Sequence, residues 1–329
     1  MNSRLAIPNV DPELAAALQV ALEGTPSPIT LADIPDKRAQ DWEASHEARR
    51  AVVSRGVRVE EFDIPTVDGQ TVRLDLLSGP NRSATSPLVY YVHGGGMMLG
   101  NRWSGIDVVE DWIHRFNAVV ASVEYRLAPE AQYPLPQEDC YAGLKWIADN
   151  EHRLGLKVGS GMMVGISAGG GLAASVALMA RERGGPKLAG LMLIAPMLDN
   201  RDDTISAQQY ADGMWSVEEN TLGWNSLLGE AADHLDDLPD WVIPGRCADL
   251  SGLPNAFIEV GTADIFRDDS VDFASRIWAA AGRAELHVWA GGFHGFEVLS
   301  HTLLAQSAVH ARSNWLQRLF GMPENVVVQ

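Results

Sequence analysis

The chain has 329 residues, a length that suits two domains or one large α/β domain. Its 46% hydrophobic and 21% charged residues are globular proportions and exclude a disordered chain. Asp and Glu outnumber Lys and Arg by 43 to 25, and the net charge of −18 repels phosphate, which excludes general binding to nucleic acid or anionic membranes.

In chain order, the first 55 residues read as a helical arm punctuated by prolines. Pro12 to Glu23 sets Leu14, Leu18 and Leu22 on one face of a helix. Asp36 to Arg55 is a second helix, charged on most sides. Val57 to Ile64 and Val72 to Leu76 read as antiparallel strands about a turn at Asp68-Gly69. Strand and helix then alternate: strand Leu88 to Val92, helix near Gly105 to Phe116, strand Ala118 to Val123, helix Leu135 to Leu154, strand Met162 to Ile166, helix Ala168 to Arg183, strand Leu188 to Ala195. After a break come strand Ala256 to Val260, helix Asp268 to Ala281, strand Ala284 to Trp289 and helix Thr302 to Phe320. This rhythm predicts a mostly parallel central sheet flanked by helices, with the strand C-termini gathered on one edge.

The break, Asp199 to Pro254, has no clear strand and holds Trp215, Trp224 and Trp241 among many acids. A segment this long is expected to serve as a lid above the sheet edge. The chain accordingly divides into a cap portion (1–55), the first part of a catalytic α/β domain (56–198), a cap insertion (199–250) and the second part of the catalytic domain (251–329). Acids gather between Asp202 and Asp240 and after Asp264, beside the expected entrance, which favours neutral over anionic substrates.

Gly165-Ile166-Ser167-Ala168-Gly169 follows a predicted strand and opens a predicted helix. A sharp strand-to-helix turn holds a serine oxygen in the open, and its crowding demands small flanking residues. The motif alone is weak, and a glycine-rich turn without chemistry would also match. His93-Gly94-Gly95-Gly96 is less easily met by chance. Its N–H groups at Gly94 and Gly95, with that of Ala168, can hold a developing oxyanion. A phosphate-binding loop would want the lysine and Ser/Thr that are missing here. His93 reads as structural.

A serine nucleophile needs a base, and the base needs an orienting acid. His294 lies after the last strand in a glycine-rich loop, Gly291-Gly292-Phe293-His294-Gly295. Asp264 follows the strand before it, while Asp268 and Asp269 open a helix and suit its dipole. The chain order Ser167, Asp264, His294 is that of α/β-hydrolases. Met97 and Met98 are candidates to line an acyl pocket or to fill the core. Met214 and Trp215 are candidates for its roof, or for packing within the lid. No His/Glu spacing suggests a zinc site, and the chemistry calls for no metal or organic cofactor.

The stretches His93 to Gly96, Tyr125-Arg126-Leu127-Ala128-Pro129-Glu130, the elbow at Ser167, Asp264 through Asp268, and His294-Gly295-Phe296 resemble the hormone-sensitive-lipase family of carboxylesterases, the bacterial family IV esterases. The resemblance runs from about residue 90 to 300. It implies an α/β-hydrolase fold with a helical cap, a Ser167–His294–Asp264 triad, an oxyanion hole at Gly94, Gly95 and Ala168, and short-to-medium acyl esters as small-molecule substrates. It also implies a homodimer through the last strand and helix, near Glu285 to Trp289 and Thr302 to Phe320. Ile166 departs from the acid or threonine common in the family before the nucleophile. The same triad could serve lactones, carbamates or amides. Plant gibberellin receptors resemble the family too, but lack the histidine that stands here at 294. Two cysteines, Cys140 and Cys247, exclude a disulfide scaffold. With no signal-like start and no apolar run of spanning length, the expectation is a soluble, cytoplasmic protein without membrane insertion.

Overall fold

The computed structural model describes residues 5–24, 28–210 and 213–321, with side chains from residue 5 to 20 and again from residue 28. The side chain of Leu22 lies outside that set, as do Pro26 and Asp212. Ten α-helices occur among the described residues: α1 (Pro12–Gly24), α2 (Ile34–Ser54), α3 (Ile106–Phe116), α4 (Leu135–Asp149), α5 (Glu151–Leu154), α6 (Ala168–Glu182), α7 (Ile205–Gln209), α8 (Val217–Leu228), α9 (Arg267–Ala279) and α10 (Leu303–Leu319). The strands are β1 (Arg58–Pro65), β2 (Thr71–Ser78), β3 (Leu88–Val92), β4 (Val119–Val123), β5 (Met162–Ile166), β6 (Gly190–Ile194), β7 (Asn255–Ala263) and β8 (Ala284–Phe293).

The eight strands form one sheet in the order β1-β2-β4-β3-β5-β6-β7-β8. β1 and β2 are antiparallel, and β2 meets β4 antiparallel. From β4 to β8 every pairing is parallel. β3, β4 and β6 are buried at every residue, which explains why they read as unbroken apolar runs. Alternate side chains go to opposite faces. Tyr90, Val92, Leu191 and Leu193 pack with residues of α4, α6 and α9. Val89, Tyr91, Val164 and Ile194 pack with those of α3 and α10.

Two elements differ most from their sequence expectations. The single helix over 135–154 is broken at Asn150, whose φ of −113° leaves the helical region. Its side-chain amide donates to the Trp146 carbonyl at 2.8 Å and closes α4 there. β8 runs four residues past Trp289, through Gly291 and Gly292. A Cβ on Gly261 would lie 1.9 Å from the Gly292 carbonyl oxygen, so β7 and β8 approach this closely only because the residues are glycines.

α1 packs Leu14 against Phe293, Phe296, Ala305 and Ala308, and the Asp11 N–H donates to the Gly291 carbonyl at 3.0 Å. α2 crosses toward the loop after β3. Its Arg38 donates to the Met98 and Ala128 carbonyls and to Glu130. Glu130 thus pins the loop after β4 to α2, and Arg126 holds the same loop by joining Asp139 to Asp68. No helix among the described residues is long and apolar enough to cross a membrane.

A buried ion pair ties the last strand pair to the last helix. Glu259 of β7 pairs with Arg312 of α10, both almost without solvent exposure. The Trp289 indole N–H of β8 donates to the other Glu259 oxygen at 2.9 Å. Removing one partner strands a buried charge, which costs far more than the intact pair contributes. Arg312→Leu is expected to lower unfolding free energy by about 3–5 kcal/mol in urea titration. A loss below about 1 kcal/mol would show that Glu259 is readily neutralised or resolvated.

Candidate active site

Parallel strands place their C-terminal ends on one edge, and the chain uses four of these ends. His93 follows β3, Ser167 follows β5, Asp264 follows β7 and His294 follows β8, each as the next residue. Residues 201 positions apart in sequence, from His93 to His294, are thereby brought to a single rim.

Ser167 sits at φ 56° and ψ −121°, a left-handed conformation unusual for a residue with a side chain. The turn holds it there. The Ser167 N–H donates to the Ile194 carbonyl at 2.8 Å, and its carbonyl accepts from Gly170 and Met197. A Cβ at Gly165 would stand 2.0 Å from the Gly169 oxygen, and one at Gly169 would stand 2.2 Å from the Val92 oxygen. The glycines on either side are therefore steric requirements of the turn.

The His294 Nε2 lies 3.1 Å from the Ser167 Oγ, and its Nδ1 lies 2.8 Å from Asp264 Oδ2. With the carboxylate ionised, Nδ1 carries the proton and Nε2 is left to accept the serine hydroxyl. Asp264 is buried, and its Oδ1 accepts the Phe266 N–H at 3.0 Å. The Phe266 ring meets the imidazole edge-on with centroids 5.3 Å apart. Burial disfavours charge on His294, but the Asp264 carboxylate outweighs it, and the pKa is raised above the ordinary histidine value.

The glycine loop packs on the serine turn, since a Cβ at Gly94 would lie 2.9 Å from the Ile166 oxygen. Among the described residues, the N–H groups of Gly94, Gly95 and Ala168 make no turn, loop or side-chain hydrogen bond. Gly95 has φ +119°, open only to glycine, and a Cβ there would strike the Leu99 oxygen at 2.2 Å. His93 stays behind the loop. Its Nδ1 lies 2.8 Å from the Gly94 oxygen and its ring stacks on Tyr125 with centroids 4.2 Å apart. Burial pushes its pKa down to about 4, so it is neutral.

A cavity of about 320 Å³ opens over Ser167 and His294, lined also by Asp41, Tyr91, Leu99, Ile166, Trp215 and the glycines of the loop. Trp215 forms part of the wall, and its ring lies against Gly96. The other pocket candidates do not join it. Met97 and Met98 are 1% and 0% exposed and belong to the main core, where the Met97 Cε comes near Gly171. Their side chains turn inward because the Met98 N–H closes a tight turn on Gly95. Met214 is half-buried against the cluster that holds Phe293 and Phe296. The acids between 202 and 240 do not line the cavity either. Its wall carboxylate, Asp41, comes from a charged helix that offered no periodic signal for it. Ser104, Gly105 and Tyr91 line the cavity as well, and no motif marks them.

This fold is the α/β-hydrolase architecture, and comparisons with known proteins agree. A family model described as alpha/beta hydrolase fold matches residues 89–298. A carboxylesterase NlhH of Mycobacterium tuberculosis is 34% identical over 243 residues, covering 71% of this chain and 73% of the relative. Esterase LipI of the same species is 33% identical over 214 residues, covering 65% of this chain and 66% of the relative. Among solved structures, a bacterial heroin esterase superposes with a TM-score of 0.86 at 31% identity, covering 95% of this chain and 98% of that one. Esterase LipW from Mycobacterium marinum gives 0.84 at 29% identity, covering 95% and 96%. The chain belongs to the hormone-sensitive-lipase type of α/β-hydrolase carboxylesterases, bacterial family IV. It is a carboxylic ester hydrolase.

The raised pKa of His294 has a direct kinetic reading. A histidine takes a proton from a nucleophile only when neutral, so a reaction that runs through His294 loses rate as pH falls through its pKa. The acid limb of kcat/KM is expected to have an apparent pKa above about 6.5, where an unperturbed histidine titrates. Asp264→Asn should move that limb to lower pH while cutting the rate, because the charge that favours imidazolium is gone. A wild-type limb centred below about 6 would show that Asp264 does not support the imidazolium.

Proposed function

We propose that Ser167, His294 and Asp264 act as a nucleophilic triad that hydrolyses short-to-medium acyl esters. The observation that carries this is the continuous contact from Asp264 Oδ2 through His294 to Ser167 Oγ, at 2.8 and 3.1 Å. In the first half-reaction the Ser167 Oγ bonds to the ester carbonyl carbon as His294 Nε2 takes its proton. The carbonyl oxygen becomes an oxyanion, held by the N–H groups of Gly94, Gly95 and Ala168. His294 returns the proton to the leaving alcohol as the C–O bond breaks. Water then adds to the acyl-serine with His294 again as base, and the acid departs while the proton returns to Ser167. Asp264 steadies the imidazolium throughout and fixes its tautomer.

The cap, read as residues 1–55 with 199–250, supports the acyl-size part of the proposal. The capping box at Ser216 and Glu219 starts α8 right after Trp215 and holds that ring at the cavity wall. A space of about 320 Å³ is at the small end of ligand cavities and suits a small ester.

Ser167→Ala is expected to lower p-nitrophenyl acetate turnover by about 10⁴-fold or more, with thermal melting unchanged. A fluorophosphonate probe should label the wild type at Ser167 and leave this variant unlabelled. Near-normal turnover by the variant would overturn the triad. Across p-nitrophenyl esters, kcat/KM is expected to peak at short or medium acyl length and to extend to longer chains in Trp215→Ala. A wild-type profile rising steadily to palmitate would refute the size limit. Higher kcat/KM on a lactone or an anilide than on every ester would reassign the substrate class.

A further inference from the structure

One charged group in the cavity has no role in the hydrolysis just described. Asp41, on α2, is half-buried and lines the wall beside Gly100. Its Oδ2 accepts the Gly100 N–H at 2.8 Å, and its backbone carbonyl accepts the Asn101 side-chain amide at 3.1 Å. These bonds fix the carboxylate in place without neutralising it. Among the described residues Asp41 takes part in no ion pair, and no lysine or arginine lines the cavity. His93 lies near enough to feel the carboxylate, yet burial keeps it neutral. His294, the remaining titratable cation, already faces Asp264.

Beside the loop glycines, Ser104, Ser167 and His294, the wall holds the apolar side chains of Trp215, Leu99 and Ile166, while Tyr91, fully buried, reaches it from the core. A fixed carboxylate without a cationic partner leaves a negative charge at this wall that a cationic substrate group can meet. A cavity that holds both a carboxylate and an indole suits alkylated ammonium groups, which shed water easily and lie against π surfaces. The net charge of −18 draws cations toward the molecule from a distance. We propose that Asp41 is a specificity-determining residue, and that the preferred substrates are esters carrying an ammonium group a short spacer from the ester. This rests on the esterase reading above and goes beyond it, because the triad itself is indifferent to substrate charge.

The test compares acetylcholine with 3,3-dimethylbutyl acetate, which has the same shape with carbon in place of the charged nitrogen. In the wild type, kcat/KM is expected to favour the cation by about tenfold at low salt, the attraction of one carboxylate across a partly solvated cavity. Asp41→Asn can still accept the Gly100 N–H, and in it the ratio should fall toward one. A wild-type ratio of one or less, or a ratio unchanged in Asp41→Asn, overturns the proposal. Should that variant fail to fold, inhibition of the wild type decides. Tetramethylammonium chloride is expected to compete with 3,3-dimethylbutyl acetate more strongly than sodium chloride at equal ionic strength, and equal effects refute the cation site. Turnover of the neutral ester, lost in Ser167→Ala, keeps the two readings apart. If no ester shows Ser167-dependent turnover, the triad falls and this proposal with it.

Discussion

The backbone of Ser167 is the constraint on which the site depends. Its positive φ lifts the serine off the end of β5, and the residues around it are crowded to the limit that glycine allows. Gly165 and Gly169 have no room for a methyl group, and Gly94 of the next loop rests against the same turn. A conformation of this kind costs on the order of 1–3 kcal/mol and persists only where its surroundings overdetermine it. Here they do so through the pairing of β5 with β3 and β6 and the hydrogen bond from Ser167 N–H to Ile194.

Outward from this turn, rigid elements aim the remaining groups. β8 carries His294 and is itself held by the Glu259–Arg312 pair and the Trp289 indole. The Asp264 carboxylate is fixed from behind by the Phe266 N–H, so the imidazole meets an acceptor that is already oriented. The cavity above takes its walls from distant parts of the chain. Asp41 comes from the N-terminal arm, where Arg38, one turn earlier, grips the carbonyls of Met98 and Ala128. Trp215 comes from the segment between β6 and β7, and Gly223 of α8 presses on the Gly96 carbonyl, where a Cβ would stand 2.7 Å away. Arm and insertion therefore both meet the glycine loop after β3, the arm at Met98 and Gly100 and the insertion at Gly96.

The candidate site is legible in the sequence because its residues stand at strand ends. A buried strand followed at once by Ser, Asp or His is visible as an apolar run with a polar stop, and the glycines around each stop mark the tight turn. Helix α4 and strand β8 end where sequence periodicity does not place them, for local reasons. A side-chain cap at Asn150 competes with helix continuation, and paired glycines let a strand persist where their composition suggests a loop. Met97 and Met98 show the opposite limit. Adjacency to the glycine loop leaves pocket lining and core filling equally open, and a turn of the backbone at Gly95 sends both side chains into the core.

What the amino-acid sequence alone determined is the fold class, the order of the elements and the residue types at each strand end, because hydrophobic periodicity and turn chemistry act over a few residues. The length of 329 residues and the charge of −18 bounded the answer without explaining it. Tertiary structure decided which groups share a space. No local pattern relates Asp41 to Ser167, 126 positions away, or sets an indole from an acidic insertion against Gly96. The many acids of the chain supply a field at long range. One of them, placed by the packing of α2 on the loop after β3, puts a charge in the cavity itself.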